Sequence, residues 1–365
     1  MCLRRRGDVD RLKSFAVMLL VSAALLAAAE ASLRVLFPQL RYFENRRGVS
    51  GGIRFRMNGL GMRDDDFPLA KPAGERRVLC MGDSTTFGMA ERLEDSWPKV
   101  LGRVLAREHR EGIHVINGAG VGRHPHIQMK LLTDGYWKIE PDVVVLGFCL
   151  NDVVLRTANL DQEQFAQQVP DAPLSIRLAQ QTVAMRHLLA RFYVFGAAQW
   201  VASRYFPTYD GAELIEFSPY QFNAFGVTPD STKAWADTLE TIDRMAADAR
   251  THGASFVLVP IPYRFLLSAD PRDNERHVPT ERFAVDPIER LTSFAHEHDI
   301  PVADTVGYMR RARERMSRGE IAYDALYVPL DLTHPNARGY RVVAEATAEV
   351  VRPLLDGRRA AAARP

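Results

Sequence analysis

Val78-Leu79-Cys80-Met81-Gly82-Asp83-Ser84-Thr85-Thr86-Phe87-Gly88 is the stretch that decides the fold. Its first four residues are apolar without a break, as in a strand buried on both faces of a parallel sheet. The run stops at Gly82-Asp83-Ser84, where a glycine that can turn the backbone sharply precedes two small polar residues. Downstream, Ser96-Trp97-Pro98 opens a helix, with Ser96 as N-cap and Pro98 in the first turn. Trp97, Val100, Leu101, Val104 and Leu105 then keep helical spacing. Open α/β sheets bind their ligands beyond the carboxyl ends of strands, which is where Ser84 falls. Gly-Asp-Ser is also a common turn tripeptide, so the reading of Ser84 as a nucleophile depends on the rest of the chain.

Outward from this stretch the pattern repeats. Ile113-His114-Val115-Ile116-Asn117 reads as a second strand, ending in Gly118-Ala119-Gly120-Val121-Gly122. The glycines approach the dinucleotide fingerprint G-x-G-x-x-G, but Arg123 stands where the third glycine belongs, and that reading is set aside. A helix near 126–134 leads to Val143-Val144-Val145-Leu146, a third strand that runs out into Gly147-Phe148-Cys149-Leu150-Asn151-Asp152. A fourth strand is expected over 255–260 and a fifth at Ile300-Pro301-Val302-Ala303. Strands alternating with helices argue a five-stranded parallel sheet covered on both faces. About a hundred residues separate the third and fourth strands, more than one crossover helix needs. Helical spacing appears there over 174–200 and 234–249. The aromatics between (Tyr205, Phe206, Tyr209, Phe217, Tyr220, Phe222, Phe225) read as holding an insertion, 153–250, onto the core rather than lining a cleft. Asp331-Leu332-Thr333-His334-Pro335-Asn336 precedes a closing helix, and an Arg- and Ala-rich tail at 357–365 reads as disordered.

At 365 residues the chain holds one large α/β domain with appendages. A net charge of +2 gives no reason to expect a nucleic-acid partner. The basic excess is local: Arg4, Arg5, Arg6, Arg11 and Lys13 crowd the start, and residues 15–29 that follow carry no charge. With Leu33, Val35, Leu36 and Phe37 the apolar segment reaches the length of a membrane span, so a signal anchor is expected over 14–37. The basic cluster puts residues 1–13 in the cytoplasm and the rest on the periplasmic side of the inner membrane. Ala29-Glu30-Ala31 has the small-x-small pattern of a cleavage site, which leaves a cleaved signal peptide as the alternative. Residues 38–75 read as a juxtamembrane connection with a short strand at 53–57, a turn at Asn58-Gly59, and arginines on a solvated face. Cys2, Cys80 and Cys149 fit neither a disulfide framework nor a zinc site, and Cys80 and Cys149, at strand ends, are expected to be free thiols.

Serine hydrolysis needs a nucleophile, a base, a group that orients the base, and donors for the oxyanion. Ser84, His334 and Asp331 can fill the first three roles. Ser84 N–H, Gly122 N–H and the Asn151 amide can serve as donors, because all lie just beyond strand ends that share one rim. A lone His before Pro, or a lone Asn at a strand end, would ordinarily be structural; the combination is what points to a site.

These four separated blocks, in this order, resemble the SGNH/GDSL hydrolase family. Gly82-Asp83-Ser84 is similar to its nucleophile block, Asn117 to Gly122 to its glycine block, Asn151-Asp152 to its asparagine block, and Asp331-x-x-His334 to its terminal block. The resemblance covers residues 76–356. It implies a flavodoxin-like three-layer α/β/α fold and a metal-free serine hydrolase without cofactor. It also implies catalytic Ser84, Asp331 and His334, with oxyanion donors at Ser84, Gly122 and Asn151. The anchor and the Asn58-x-x-Gly61-x-Arg63 stretch are similar to an anchored bacterial branch often found with exopolysaccharide genes, which implies exopolysaccharide-modification partners. The family usually has glycine two residues before the asparagine, where this chain has Cys149. The α/β-hydrolase elbow G-x-S-x-G is not matched, since Thr86 takes its final glycine position. The expected activity is removal of acyl groups, acetyl among them, from a carbohydrate or lipid ester. Acyl transfer to an exopolysaccharide, and a non-catalytic polysaccharide-binding scaffold, are the alternatives. A single anchor without a multi-helix acyl-carrying module favours the hydrolase.

Overall fold

The computed structural model describes residues 2–36, 49–50, 53–55, 57–108, 112–155, 194, 223–226, 230–267, 286–317, 326–328, 331 and 333–362. At its centre are four parallel strands: β3 (Arg76–Gly82), β4 (Ile113–Asn117), β5 (Val143–Cys149) and β6 (Ser255–Ile261), in the order β4-β3-β5-β6. The register sets Val78 beside Val115 and Val143, and Val143 beside Ser255. A two-residue pair, β1 (Val49–Ser50) and β2 (Ile53–Arg54), lies earlier in the chain as a separate antiparallel ribbon. The second strand of the central sheet flanks the first on one side and the third on the other, so the chain reverses direction across the sheet at β3 and β5. Such a switch point leaves a crevice beyond the carboxyl ends of the two strands.

Alternation along each strand builds two cores. Leu79, Met81, Val144, Leu146, Phe148 and Leu258 point to one face and meet α4 (Pro125–Asp134), α5 (Ser231–Thr251) and α6 (Pro287–Glu297). Val78, Cys80, Val143, Val145, Val257 and Val259 point to the other and meet α3 (Trp97–Glu108), α7 (Thr305–Ser317) and α8 (Ala337–Ala362). All seven residues of β5 are buried, and each large apolar side chain so placed contributes roughly 1.5–3 kcal/mol. The result is the three-layer α/β/α arrangement that the strand and helix pattern implies.

Several expectations need adjustment. The sheet has four strands rather than five. At 300–303 only one bridge forms, Leu258 to Val302, held by Leu258 N–H to Pro301 O at 2.9 Å and Ala303 N–H to Leu258 O at 3.0 Å. Pro301 has no N–H to extend a ladder, and Asp304 at once turns the chain into α7 by accepting from Gly307 N. Ser96 stands before α3, but its hydroxyl donates backwards to Leu93 O at 2.6 Å instead of capping the helix. The last helix, α8, runs past Gly357 to Ala362, in keeping with the helix propensity of Arg and Ala, and 363–365 lie outside the described residues. The two cysteines are free and buried, and they face opposite sides of the sheet. The helical pattern at 174–200 (Val194 apart), the six named aromatics from Tyr205 to Phe222, and Cys2's side chain lie outside the described residues. Phe225 itself is buried against Tyr263 and Phe265.

Residues 57–75 are not simply a connection, and neither Arg63 within them nor Arg77 just after them is solvated. Arg63 is buried and donates to Phe87 O, Gly88 O and Glu91 O, each at 2.6 Å, with its guanidinium 4.6 Å from the Phe87 ring centre. Burial lowers it to about 10, still cationic at neutral pH. Arg77, inside β3, pairs with Glu75 and donates to Pro68 O, Leu69 O and Ile139 O. Buried backbone carbonyls need donors, and one guanidinium supplies five. Asp64 accepts from Asn117 N at 2.7 Å and pairs with Lys99 at 2.6 Å. The segment thus straps the loop after the first strand of the sheet.

The amino-terminal helix α1 (Cys2–Leu36) stands apart in character. Its part over Lys13–Leu36 is long and apolar enough to cross a membrane, and its large apolar side chains are exposed. Glu30 and Arg34 pair along it at 2.8 Å, which lets two charges near the end of an apolar segment neutralise each other.

Candidate active site

The carboxyl end of β3 is shaped by close approach. A Cβ on Gly82 would lie 2.0 Å from Thr86 Oγ1 and 2.8 Å from Gly147 O, so only glycine fits. Asp83 follows as N-cap of a short helix, α2 (Ser84–Phe87), accepting from Thr85 N–H at 2.9 Å and Thr85 Oγ1 at 2.7 Å. Ser84 is the first residue of α2, and its N–H therefore has no carbonyl within the helix to bond. Gly88, in the left-handed region at φ 85°, ends the turn.

The glycine block lies against this end. Gly118 N–H donates to Cys80 O at 2.9 Å and Gly120 N–H to Gly82 O at 3.1 Å, pinning the loop beside β3. Gly122 has φ 70°, and its N–H finds no acceptor among the described residues. Arg123, which breaks the dinucleotide pattern, donates to Gly118 O, Gly61 O and the Tyr136 hydroxyl. Asn117 is wholly buried and donates to Thr86 O and Phe87 O.

Beyond β5, Cys149 is extended, with φ −109° and ψ 154°. Any residue adopts that conformation, so the missing family glycine costs the backbone nothing here. A 3-10 turn, Leu150–Asp152, closes as Asp152 accepts from Cys149 N–H at 3.0 Å. The Asn151 amide nitrogen donates to Asp83 Oδ2 at 3.0 Å, while its oxygen is buried without a partner among the described residues. Asp152 is buried too; burial first, then the neighbouring Asp83, raise it well above the ordinary carboxylate range.

The last block sits on a tight loop. Tyr327 bridges Pro335, Val328 N–H donates to His334 O, and Asp331 N–H donates to Val328 O. Within it Asp331 Oδ1 accepts from Thr333 N–H at 2.7 Å and His334 N–H at 2.9 Å, and Oδ2 meets His334 Nδ1 at 2.7 Å. His334 Nε2 stands 2.8 Å from Ser84 Oγ. Burial alone would raise Asp331, but the imidazole's charge and hydrogen bonds override it and hold the carboxyl below its usual range. For His334, burial opposes the charged ring, yet Asp331 by charge and hydrogen bond, and Asp83 by charge, lift it above the usual imidazole range.

Ser84, His334 and Asp331, remote in the chain, therefore form one hydrogen-bonded line, and Asn151 joins it through Asp83. Gly122 lies on a loop pinned to the same strand end. With Nδ1–H given to Asp331, Nε2 is an acceptor for the serine proton. Asp83 was not singled out from the sequence, although a carboxylate directly before a candidate nucleophile was there to notice. Among the described residues no group of three or more His, Cys, Asp or Glu could hold a metal ion.

A model of the GDSL-like lipase/acylhydrolase family matches residues 80–342, from within β3 into α8. Among solved structures, the chain is similar to LAE5, described as an α/β hydrolase enzyme from the metagenome of Lake Arreo, Spain. That pair shares 16% identity with a TM-score of 0.41, over 76% of this chain and 96% of the other. It is also similar to Axe2, an acetylxylan esterase from Geobacillus stearothermophilus, at 14% identity and a TM-score of 0.43, over 77% and 96% of the two chains. No curated protein matches it.

Proposed function

Because the chain belongs to the GDSL-like lipase/acylhydrolase family, whose members cleave acyl esters, we propose that Ser84, His334 and Asp331 are the catalytic triad of an ester hydrolase. Its substrates on this reading are acylated, for instance acetylated, carbohydrates or lipids. One observation carries the reading: the unbroken line from Ser84 Oγ to His334 Nε2 at 2.8 Å and from His334 Nδ1 to Asp331 Oδ2 at 2.7 Å.

On this reading the steps are these. Ser84 Oγ attacks the acyl carbonyl carbon as its proton passes to His334 Nε2. Charge then gathers on the carbonyl oxygen, where Ser84 N–H, Gly122 N–H and the Asn151 amide act as donors. His334 gives its proton to the departing alkoxide, leaving an acyl ester on Ser84. Water attacks that ester while giving a proton to His334; the carboxylic acid leaves and Ser84 Oγ recovers its proton. Asp331 keeps Nδ1 protonated and stabilises the transient imidazolium. The exposed apolar part of α1, behind its basic start, anchors this domain on the extracytoplasmic side of a membrane.

The test is hydrolysis of short acyl esters by the full chain and by Ser84→Ala. Turnover should vanish in the variant, and a serine-directed phosphonate should label Ser84 only in the wild type. Ester cleavage by Ser84→Ala near the wild-type rate would sink the assignment. Adding an acceptor sugar separates release of free acid from acyl transfer. For the placement, a reporter active only in the cytoplasm, fused after Pro365, should be silent; a strong signal overturns it.

A further inference from the structure

We propose that Asp83 is a positioning residue for this hydrolysis: its Oδ2 holds one N–H of the Asn151 amide and so aims the other at the oxyanion. The inference rests on the reading of Ser84 as nucleophile.

A helix cap alone does not account for Asp83. Capping uses one oxygen, and here Oδ1 does all of it, accepting from Thr85 N–H at 2.9 Å and Thr85 Oγ1 at 2.7 Å. Those two bonds fix the plane of the carboxylate and so fix Oδ2. Asn151 Nδ2 donates to Oδ2 at 3.0 Å, and Ser84 Oγ lies 3.4 Å from the same atom. The other end of the Asn151 amide has no partner among the described residues. Among the described residues, Oδ2 alone therefore decides which end of the amide faces the serine. Were the amide turned over, its oxygen would meet a carboxylate oxygen, acceptor against acceptor, and an oxygen would face the developing oxyanion. An amide nitrogen carries two hydrogens, so the one not given to Asp83 remains for the substrate.

The carboxylate has a second effect through space. Two acidic groups act on His334, Asp331 from its own loop and Asp83 from the end of β3, and both favour the imidazolium. Around Asp83 itself lie Asp152 and Cys149 from the end of β5 and Tyr340 from α8, and burial raises all three. Removing the charge of Asp83 thus takes away one of the two influences that lift His334.

Asp83→Asn separates these roles, because asparagine caps a helix about as well as aspartate. It keeps an oxygen toward Thr85 but sets an NH2 group against that of Asn151. On a short acyl ester, kcat of the full-chain variant should fall by about 10- to 100-fold, less than the hundred- to thousand-fold typical of losing an oxyanion donor outright. KM should hardly change, and the acid limb of the pH–rate profile should move to lower pH. Added to Asn151→Ala, Asp83→Asn should cost little more than Asn151→Ala alone, since both disable one donor. Asp83→Ser, which caps but is too short to reach Asn151, should reproduce the loss in kcat. Wild-type kcat and pH profile in Asp83→Asn overturn the proposal. So does full additivity with Asn151→Ala, or a rise in kcat, which would mean that the charge opposes the oxyanion more than it helps. If both Asp83 variants melt at the assay temperature, Asp83 serves the fold alone and the proposal also fails. Ser84→Ala keeps the two readings apart: if it is inactive while Asp83→Asn behaves as wild type, only the positioning role is lost.

Discussion

Two buried aspartates at the carboxyl rim of the sheet, Asp331 before α8 and Asp152 after β5, share a residue type and almost complete burial yet are shifted in opposite directions. Asp331 receives two backbone N–H groups and an imidazole, and it is held below the usual carboxylate range. Asp152 receives Cys149 N–H, faces another carboxylate, and is raised. Burial penalises both charges alike, so the difference comes from what donates to each. Depth in the fold does not set Asp331 apart from Asp152; an imidazole partner with the right geometry does.

The comparison breaks most visibly at Asp331. Asp331→Asn keeps the shape but presents an amide to His334, which favours the wrong tautomer. If the proposed roles hold, turnover should fall by about 10⁴-fold, as in triads where the orienting carboxylate is neutralised. Activity within tenfold of wild type would show that Asp331 is no more involved than Asp152. The pH dependence sharpens the point by a smaller amount. His334 works as a base only when neutral, and its folded value is raised, so the acid limb of kcat/KM should lie above the ordinary imidazole range. Asp331→Asn removes the main raising influence, and the residual activity should show that limb at lower pH. A limb that stays in place would separate His334 from the observed titration.

Asp152 should give the smallest effect on rate and a distinct one on stability. Its folded value is raised above that of the unfolded chain. The stability linked to it is full below the ordinary carboxylate range and is lost as pH rises through the folded value. Asp152→Asn cannot ionise and keeps an acceptor for Cys149 N–H. Turnover should stay within about tenfold of wild type, as for a residue outside the catalytic line. Its melting temperature should gain on the wild type as pH rises from the ordinary carboxylate range upward, because only the wild type must then ionise a buried carboxyl. A wild-type-minus-variant difference that is flat across that range would mean that Asp152 is as easily ionised as any surface carboxylate.

The sequence by itself determined the layered α/β framework and the residues that meet at its rim. Strands buried on both faces must be apolar throughout, which is why 78–81, 143–146 and 255–260 are legible, and helical spacing marks α3, α5 and α8. Small polar residues at the strand ends then stand out against those runs, as Ser84 and Asn151 do. Tertiary structure alone decided what depends on partners far along the chain. Arg63 and Arg77 look like surface residues in the sequence, but carbonyls from other loops surround them, Phe87 O, Gly88 O and Glu91 O in one case and Pro68 O, Leu69 O and Ile139 O in the other. No local pattern announces such a pairing. The fifth strand shrank to one bridge because Pro301 has no N–H to offer and α7 begins at once. The link from Asp83 to Asn151 spans 68 residues and joins the ends of two neighbouring strands. A hydrogen bond of 3.0 Å exists only once the register of the sheet has set those ends side by side, and that register is a property of the packed molecule.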